Sequence, residues 1–396
     1  MKRTILFLLS SLFLAILMIV VALYFPNVLP TNSDFSALYN TDLALVNRVP
    51  IYDLPKVEIL AQQHSGIPRE NFFLARFPYP PWYTLSTFYL GLMPAHAAAT
   101  LWFELNLVML FLSVWFLSDG WSGRLRLIAF PLALFFLPVL GALAVGQYDF
   151  PVLLGTSLLI YSLRKENIAL TVLGFVLLTF KPHVGALILL SGLGWLIGSR
   201  NSFGRRLMRP LLIAGILLAA IGFIADPAWI VSYPKMLLNY QNEGNVSACS
   251  ECASLPVWLS RWFFDGSLST ATRIAVVLLV ILIVLFFFVR ASFKTHEFLL
   301  TAALLVTLLV SPYLYNYDFL LLLVPFAVLV KPVHLLQIII VLICYFVPTF
   351  ALLLLGRAGN ISLIVVTIVL TALLYRQTLR ALRMKNFVID DTSHAA

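Results

Sequence analysis

Charge is scarce in this chain. Only 11% of its 396 residues are Asp, Glu, Lys or Arg, whereas 61% are hydrophobic and the mean hydropathy is +0.98. That shortage excludes a soluble protein of this length and points to a polytopic membrane protein. Cysteine is scarce too, at three residues. Cys344 lies inside an apolar run, and Cys249 and Cys252 form a lone Cys-Ser-Glu-Cys, weak evidence for a metal and, in an oxidising compartment, better read as a local disulfide. No metal constellation stands out: the acids Asp34, Asp42, Asp53 and Glu58 have neither EF-hand nor paired-His spacing, so no metal and no other cofactor is expected. Basic residues are dispersed among short loops, which gives nucleic-acid binding no support. The small-residue cleavage site of a signal peptide is missing before Pro26, and the first apolar run is too long for a signal h-region, so it reads as an uncleaved first helix.

Apolar runs are what the chain has in abundance. A helix needs about 20 mainly apolar residues to cross the hydrocarbon, fewer where it lines protein. By that rule the sequence predicts an all-α bundle of about twelve transmembrane helices, near 5-25, 96-117, 127-145, 150-163, 168-181, 183-198, 209-225, 273-290, 297-311, 315-330, 333-355 and 360-376. They form one integral-membrane domain, 1-396. Lys and Arg near span ends stay in the cytoplasm, so Lys2, Arg3, Arg124, Arg126, Arg164, Lys165, Arg376 and Lys385 set both termini and the 377-396 tail inside. This orientation requires that residues 82 to 95 form a re-entrant or interfacial helix and do not cross. The formal net charge of +9 is then mainly a topology signal, with attraction to anionic membrane lipids as its second meaning.

Polar residues gather on the outer side. Two long outer loops, 26-95 and 226-272, are joined there by the short turns Gly146-Gln147-Tyr148-Asp149, Lys181-Pro182-His183 and Ser311-Pro312-Tyr313-Leu314-Tyr315-Asn316-Tyr317-Asp318. A transporter would more often carry such residues at mid-membrane, on broken helices. Asp34 opens the polar part of the first loop, where water can reach a carboxylate that lipid cannot cover, and is the first candidate for a catalytic base. Helix capping is its plainer role, because Asn32-Ser33-Asp34 precedes a helical pattern. Asp42 and Asp53 are backup acids, Asp53 more simply a turn residue. Glu104, an acid within a span, is a functional candidate by default, but a hydrogen bond to another helix explains it as well.

Asp34-Phe35 with Tyr39, Pro50-Ile51-Tyr52-Asp53, Tyr79-Pro80-Pro81-Trp82, Leu101-Trp102 with Asn106, Gly146-Gln147, Lys181-Pro182 and Ser311-Pro312 with Tyr317-Asp318 follow one another in an order and spacing that resembles glycosyltransferase family 87, from about residue 30 to 330. That family includes a mannosyltransferase of phosphatidylinositol mannoside synthesis. The resemblance implies a C-type glycosyltransferase bundle at the cell membrane, whose first outer loop carries short interfacial helices. It implies an inverting transfer of a hexose or pentose, mannose-like favoured, from a polyprenyl-phosphate sugar to a lipid-linked or envelope glycan acceptor. In that setting Asp34 takes the place of the loop acid and acts as general base.

The remaining roles follow from chemistry. A donor phosphate needs cations in a dry site, for which Lys181, His183 and Arg76 are candidates, although an interfacial lysine can simply snorkel to water. Aromatic faces with amides and carboxylates suit a sugar ring, which marks Tyr39, Gln147, Asp149, Tyr317 and Asp318 for sugar or acceptor binding, against the alternative of an interfacial aromatic belt for the tyrosines. A lipid-linked-sugar flippase or other polytopic transporter would share the length and the span pattern. An acyltransferase or polysaccharide polymerase would show a His-centred or Arg-rich loop, and none stands out.

Overall fold

The structure is a computed structural model that describes residues 2-24, 33-65, 77-199, 202-240, 252-289, 295-330 and 335-393. Among the described residues every regular element is helical. Helix α1 is Lys2–Tyr24; α2, Asp34–Val46, and α3, Leu54–Ser65, lie in the first loop. Then come α4, Pro81–Thr87, a 3₁₀ turn Phe88–Leu92, α5, Ala95–Leu117, α6, Gly123–Leu134, α7, Leu137–Val145, α8, Asp149–Lys165, α9, Ile168–Leu178, α10, Pro182–Ser199, and α11, Ser202–Ala225. The second loop contributes α12, Trp229–Tyr240, and α13, Leu255–Phe263. The remainder is α14, Leu268–Val289, α15, His296–Val310, a 3₁₀ segment Asn316–Leu322, α16, Leu323–Leu329, α17, Leu335–Leu355, a 3₁₀ turn Gly356–Asn360, and α18, Ile361–Ser393.

Among the described residues each of the twelve expected spans is mostly helical, yet length separates them. Three stretches, Ala95–Leu117, Ser202–Ala225 and Leu335–Leu379, are long and apolar enough to cross a membrane. Two bent pairs, Gly123–Leu134 with Leu137–Val145 at 54° and Leu255–Phe263 with Leu268–Ile283 at 119°, raise the number to five. Several others are apolar helices of 10–17 residues, about 15 to 26 Å long at 1.5 Å per residue and short of a hydrocarbon layer of roughly 30 Å. The expected count of twelve is therefore not reached by helices that suffice individually. Helix α4 and the turn after it are shorter still. Helix α18 runs unbroken from Ile361 to Ser393, so the last expected span and the start of the tail share one helix.

Helix α8 occupies the centre. It is buried along nearly its whole length and packs against α5, α9 and α10, which explains why its sequence is apolar on all sides. Its two ends differ in chemistry. At the C-terminal end Arg164 and Lys165 meet Asp119 at 2.6 and 3.7 Å, and the guanidinium of Arg126 lies 3.5 Å from the Trp115 ring centroid while donating to the Trp115 carbonyl at 2.7 Å. At the other end, about 25 Å away for a helix of 17 residues, Asp149 opens the helix beside the motif-bearing turns.

Candidate active site

The site starts from a glycine. Helix α7 ends on Gly146 at φ +69° and ψ +42°, the left-handed conformation that disfavours a residue carrying Cβ. The reversal lets Gly146 N–H donate to Leu143 O at 3.2 Å and Gln147 N–H to Ala142 O at 2.8 Å. Helix α5 holds the turn from the side: the Trp102 indole N–H donates to Gly146 O at 2.9 Å, and the Asn106 amide to Gln147 O at 3.4 Å.

Gln147 is thereby oriented as a bridge. Its Oε1 accepts the Tyr148 N–H at 2.9 Å, so its Nε2 is the donor that reaches Asp34 Oδ2 at 2.6 Å. Asp34 is the first residue of α2. Ser33 holds the N-cap position, and no side chain caps the helix there, so the capping role expected for Asp34 is replaced by this contact across the bundle. The Tyr148 hydroxyl donates to the Asp34 carbonyl, and the Tyr317 hydroxyl lies close enough to the Asp34 carboxylate to favour its charged form. Burial pushes the Asp34 carboxyl above its ordinary value. The Tyr317 hydroxyl, the Lys181 charge and the Gln147 bond pull it back without cancelling the shift.

Lys181 stands one residue before α10 and is 2% exposed, with Asp149 at 0% and Asp318 at 1%. Its Nζ lies 2.5 Å from Asp318 Oδ1, 2.8 and 2.9 Å from the two oxygens of Asp149, and 3.4 Å from Gln147 Oε1. An ammonium has three N–H donors, and this lysine directs all three at protein acceptors. A direct phosphate contact by Lys181 requires one of these bonds to be exchanged, and the snorkelling role is excluded by its burial. Asp318 Oδ2 also accepts the Tyr315 N–H at 2.6 Å, which fixes the start of the 3₁₀ segment. Asp34, Gln147, Asp149, Lys181, Tyr317 and Asp318 thus form one network drawn from separate parts of the chain.

An aromatic floor supports it. Tyr79, Tyr83, Tyr148, Phe77 and Trp102 pack together under α2, with Tyr79 and Tyr148 centroids 5.0 Å apart. The Trp82 indole N–H donates to Thr179 at 3.0 Å, tying the Tyr-Pro-Pro-Trp segment to the end of α9. Tyr148 and Tyr79 hold the site without having been assigned a role from the sequence. Their signal was adjacency: Tyr148 sits between Gln147 and Asp149.

Other candidates lie elsewhere. The Tyr39 hydroxyl donates to Met93 O at 2.9 Å, which anchors α2 to the turn before α5 and turns that group away from the network. His183 is exposed and stacks on Tyr79 at 6.3 Å. Arg76 lies outside the described residues. Asp42 is fully buried, accepts from Thr87 at 3.1 Å and leaves Oδ2 without a partner; burial pushes its carboxyl well above the ordinary value. Asp53 precedes α3 and pairs with Lys56 at 2.7 Å, a turn role. Glu104 makes no hydrogen bond among the described residues, so the interhelical bond expected of it is not formed. Cys252 is disulfide-bonded, Cys249 lies outside the described residues, and Cys344 is free and buried. No group of three His, Cys, Asp or Glu among the described residues could hold a metal ion.

The profile of glycosyltransferase family 87 matches residues 77–312. Neither a curated protein nor a solved structure matches the chain.

Proposed function

From the premise that this chain belongs to glycosyltransferase family 87, and so is a membrane glycosyltransferase, we propose that it moves a hexose or pentose, mannose-like favoured, from a polyprenyl-phosphate sugar to a lipid-linked or envelope glycan acceptor. The site lies on the outer face of the cell membrane in this reading, opposite the basic end of α8, and both termini are cytoplasmic. Asp34 is the general base. Its ionised carboxylate takes the proton of the acceptor hydroxyl as that oxygen bonds to the anomeric carbon from the face opposite the phosphate. The bond from that carbon to the phosphate oxygen breaks with inversion, polyprenyl phosphate leaves with the electron pair, and Asp34 returns its proton to water. A positioned base of this kind contributes typically 10²- to 10⁴-fold.

One observation carries the reading: Asp34 is a partly exposed carboxylate held on one oxygen by Gln147 and raised in basicity by its surroundings. A group in that state is a stronger base than an ordinary carboxylate and is suited to accept a proton from a hydroxyl. Lys181 acts in this scheme as a positioning residue, fixing Gln147, Asp149 and Asp318 about Asp34. Tyr317 and Asp318 border the sugar. The test is transfer from a radiolabelled polyprenyl-phosphate sugar in isolated membranes. Product formed without ATP or an ion gradient supports the enzyme; label moved across the bilayer with no new glycosidic bond supports a flippase instead.

A further inference from the structure

A cleft of about 510 Å³ lies where the first long loop meets the second, within the size range of small-ligand sites. Tyr52 and Asp53, between α2 and α3, form one wall; Asp226, Ser232, Lys235 and Asn239, on and just before α12, form the other. Asp226 is buried, and its carboxylate accepts the Ala228 N–H and the Ser232 hydroxyl, each at 2.8 Å. Asp53 pairs with Lys56 at 2.7 Å. Lys235 and Asn239 are exposed and make no hydrogen bond or ion pair among the described residues, so their donors and the Asn239 acceptor remain free. The Tyr52 ring stands 5.5 Å from that of Tyr233 and gives the cleft an aromatic side.

Helix α12 explains why the cleft is polar. At 100° per residue Ser232, Lys235 and Asn239 share one face, and they line the cleft. Ile230, Val231, Leu237 and Leu238 point away from it and are exposed. A helix with two such faces suits a membrane surface, its apolar side in the head-group boundary and its polar side in water. The cleft therefore opens where a lipid-anchored molecule presents its polar head.

Tyr52 also ties the cleft to the site. Its hydroxyl donates to Tyr79 O at 2.8 Å, the Tyr79 and Tyr148 rings lie 5.0 Å apart, and the Tyr148 hydroxyl donates to the Asp34 carbonyl. The side chains of Tyr79 and Tyr148 thus separate the cleft from Asp34, and a single sugar ring does not bridge them. The lining selects the occupant: its two carboxylates against one lysine disfavour an anion, and its polar groups disfavour an apolar chain. Sugar hydroxyls can donate to the carboxylates and accept from Lys235 and Asn239.

We infer that this cleft holds the non-reacting sugars of the acceptor, which is accordingly a neutral oligosaccharide and not a bare lipid or a single sugar. An earlier glycosyl transfer must supply it. The inference rests on the transfer proposed above and names the class of its acceptor.

The test uses purified full-length protein in lipid nanodiscs and the glycolipid extract of a strain lacking this enzyme, in which the acceptor accumulates. With that extract as acceptor, Lys235→Met should raise the acceptor KM about tenfold, as for loss of a charge-assisted hydrogen bond, and Asn239→Ala about threefold or more. The donor KM and the melting temperature should not follow. Water-soluble glycans released from the extract should bind wild type more tightly than either variant, and their complete acid hydrolysate should bind neither. An acceptor KM unchanged in both variants, or a donor KM that rises in its place, would overturn the assignment. Hydrolysate binding as tightly as the intact glycans would refute the oligosaccharide. Inorganic phosphate displacing the glycans from wild type but not from Lys235→Met would make the cleft an anion site and refute it as well. A wild type that transfers nothing from a polyprenyl-phosphate sugar sinks the proposed function, and the glycan-binding arm still decides the cleft.

Discussion

Gln147 Nε2 donates to Asp34 Oδ2 at 2.6 Å, across 113 positions of sequence. The bond occupies one carboxylate oxygen and sets the direction of the other. It also favours the charged form of Asp34 against the burial that opposes it, so one amide tunes both the geometry and the basicity of the proposed base.

Replacing that amide should separate the two effects. Gln147→Ala removes a charge-assisted bond of about 1.5 to 3 kcal/mol, so kcat/KM should fall roughly 10- to 100-fold. Because the bond lowers the Asp34 carboxyl, its loss should move the acid limb of the pH–rate profile upward. Slower transfer with an unmoved acid limb would mean that Gln147 only shapes the site.

Lys181→Met tests the buried network. The substitution leaves Asp149 and Asp318 in a dry site without their cation, and removing one partner of such a pair costs about 3 to 5 kcal/mol of folding stability. The detergent-solubilised variant should therefore melt well below wild type, and adding Asp149→Asn with Asp318→Asn should restore much of the loss. A variant that melts normally but uses donor poorly would return Lys181 to the phosphate.

Asp42 gives a pH signature that is independent of chemistry. Its folded carboxyl titrates well above the unfolded value near 3.8, so its neutral form stabilises the fold below that value and the contribution is lost as pH rises through the folded pKa. Asp42→Asn stays neutral throughout. Wild type should lose thermal stability relative to Asp42→Asn as pH increases from mildly acidic to alkaline, with turnover little changed; parallel melting curves at every pH would contradict the assigned burial effect.

Much of this site was legible as a list of residues, and little of it as an arrangement. Asp34, Gln147, Asp149, Lys181, Tyr317 and Asp318 stand out in sequence because polar groups are conspicuous against 61% hydrophobic residues. Their partners are set by helix packing: nothing local says that Lys181 is closed in by two carboxylates or that Tyr39 bonds the turn at Met93. Helical segments were equally legible from apolar runs. Their lengths were not, because a bent pair such as α6 and α7 and a helix of 11 residues such as α9 present much the same composition as a full span.

Orientation has its own prediction. A cysteine introduced at Asn239, in the second large loop, should react with an impermeant maleimide on intact cells, and one at Glu166, beside the basic end of α8, only after permeabilisation. Reversed labelling would move the site to the cytoplasmic face.

The most direct measurement of the central claim is the single-turnover rate of sugar transfer by Asp34→Asn with saturating donor, compared with wild type at equal protein abundance. Asparagine keeps the shape and can still accept the Gln147 bond, but it cannot take a proton. Loss of the base predicts a rate lower by about 10² to 10⁴ with donor still bound; transfer within a few-fold of wild type would remove Asp34 from the chemistry.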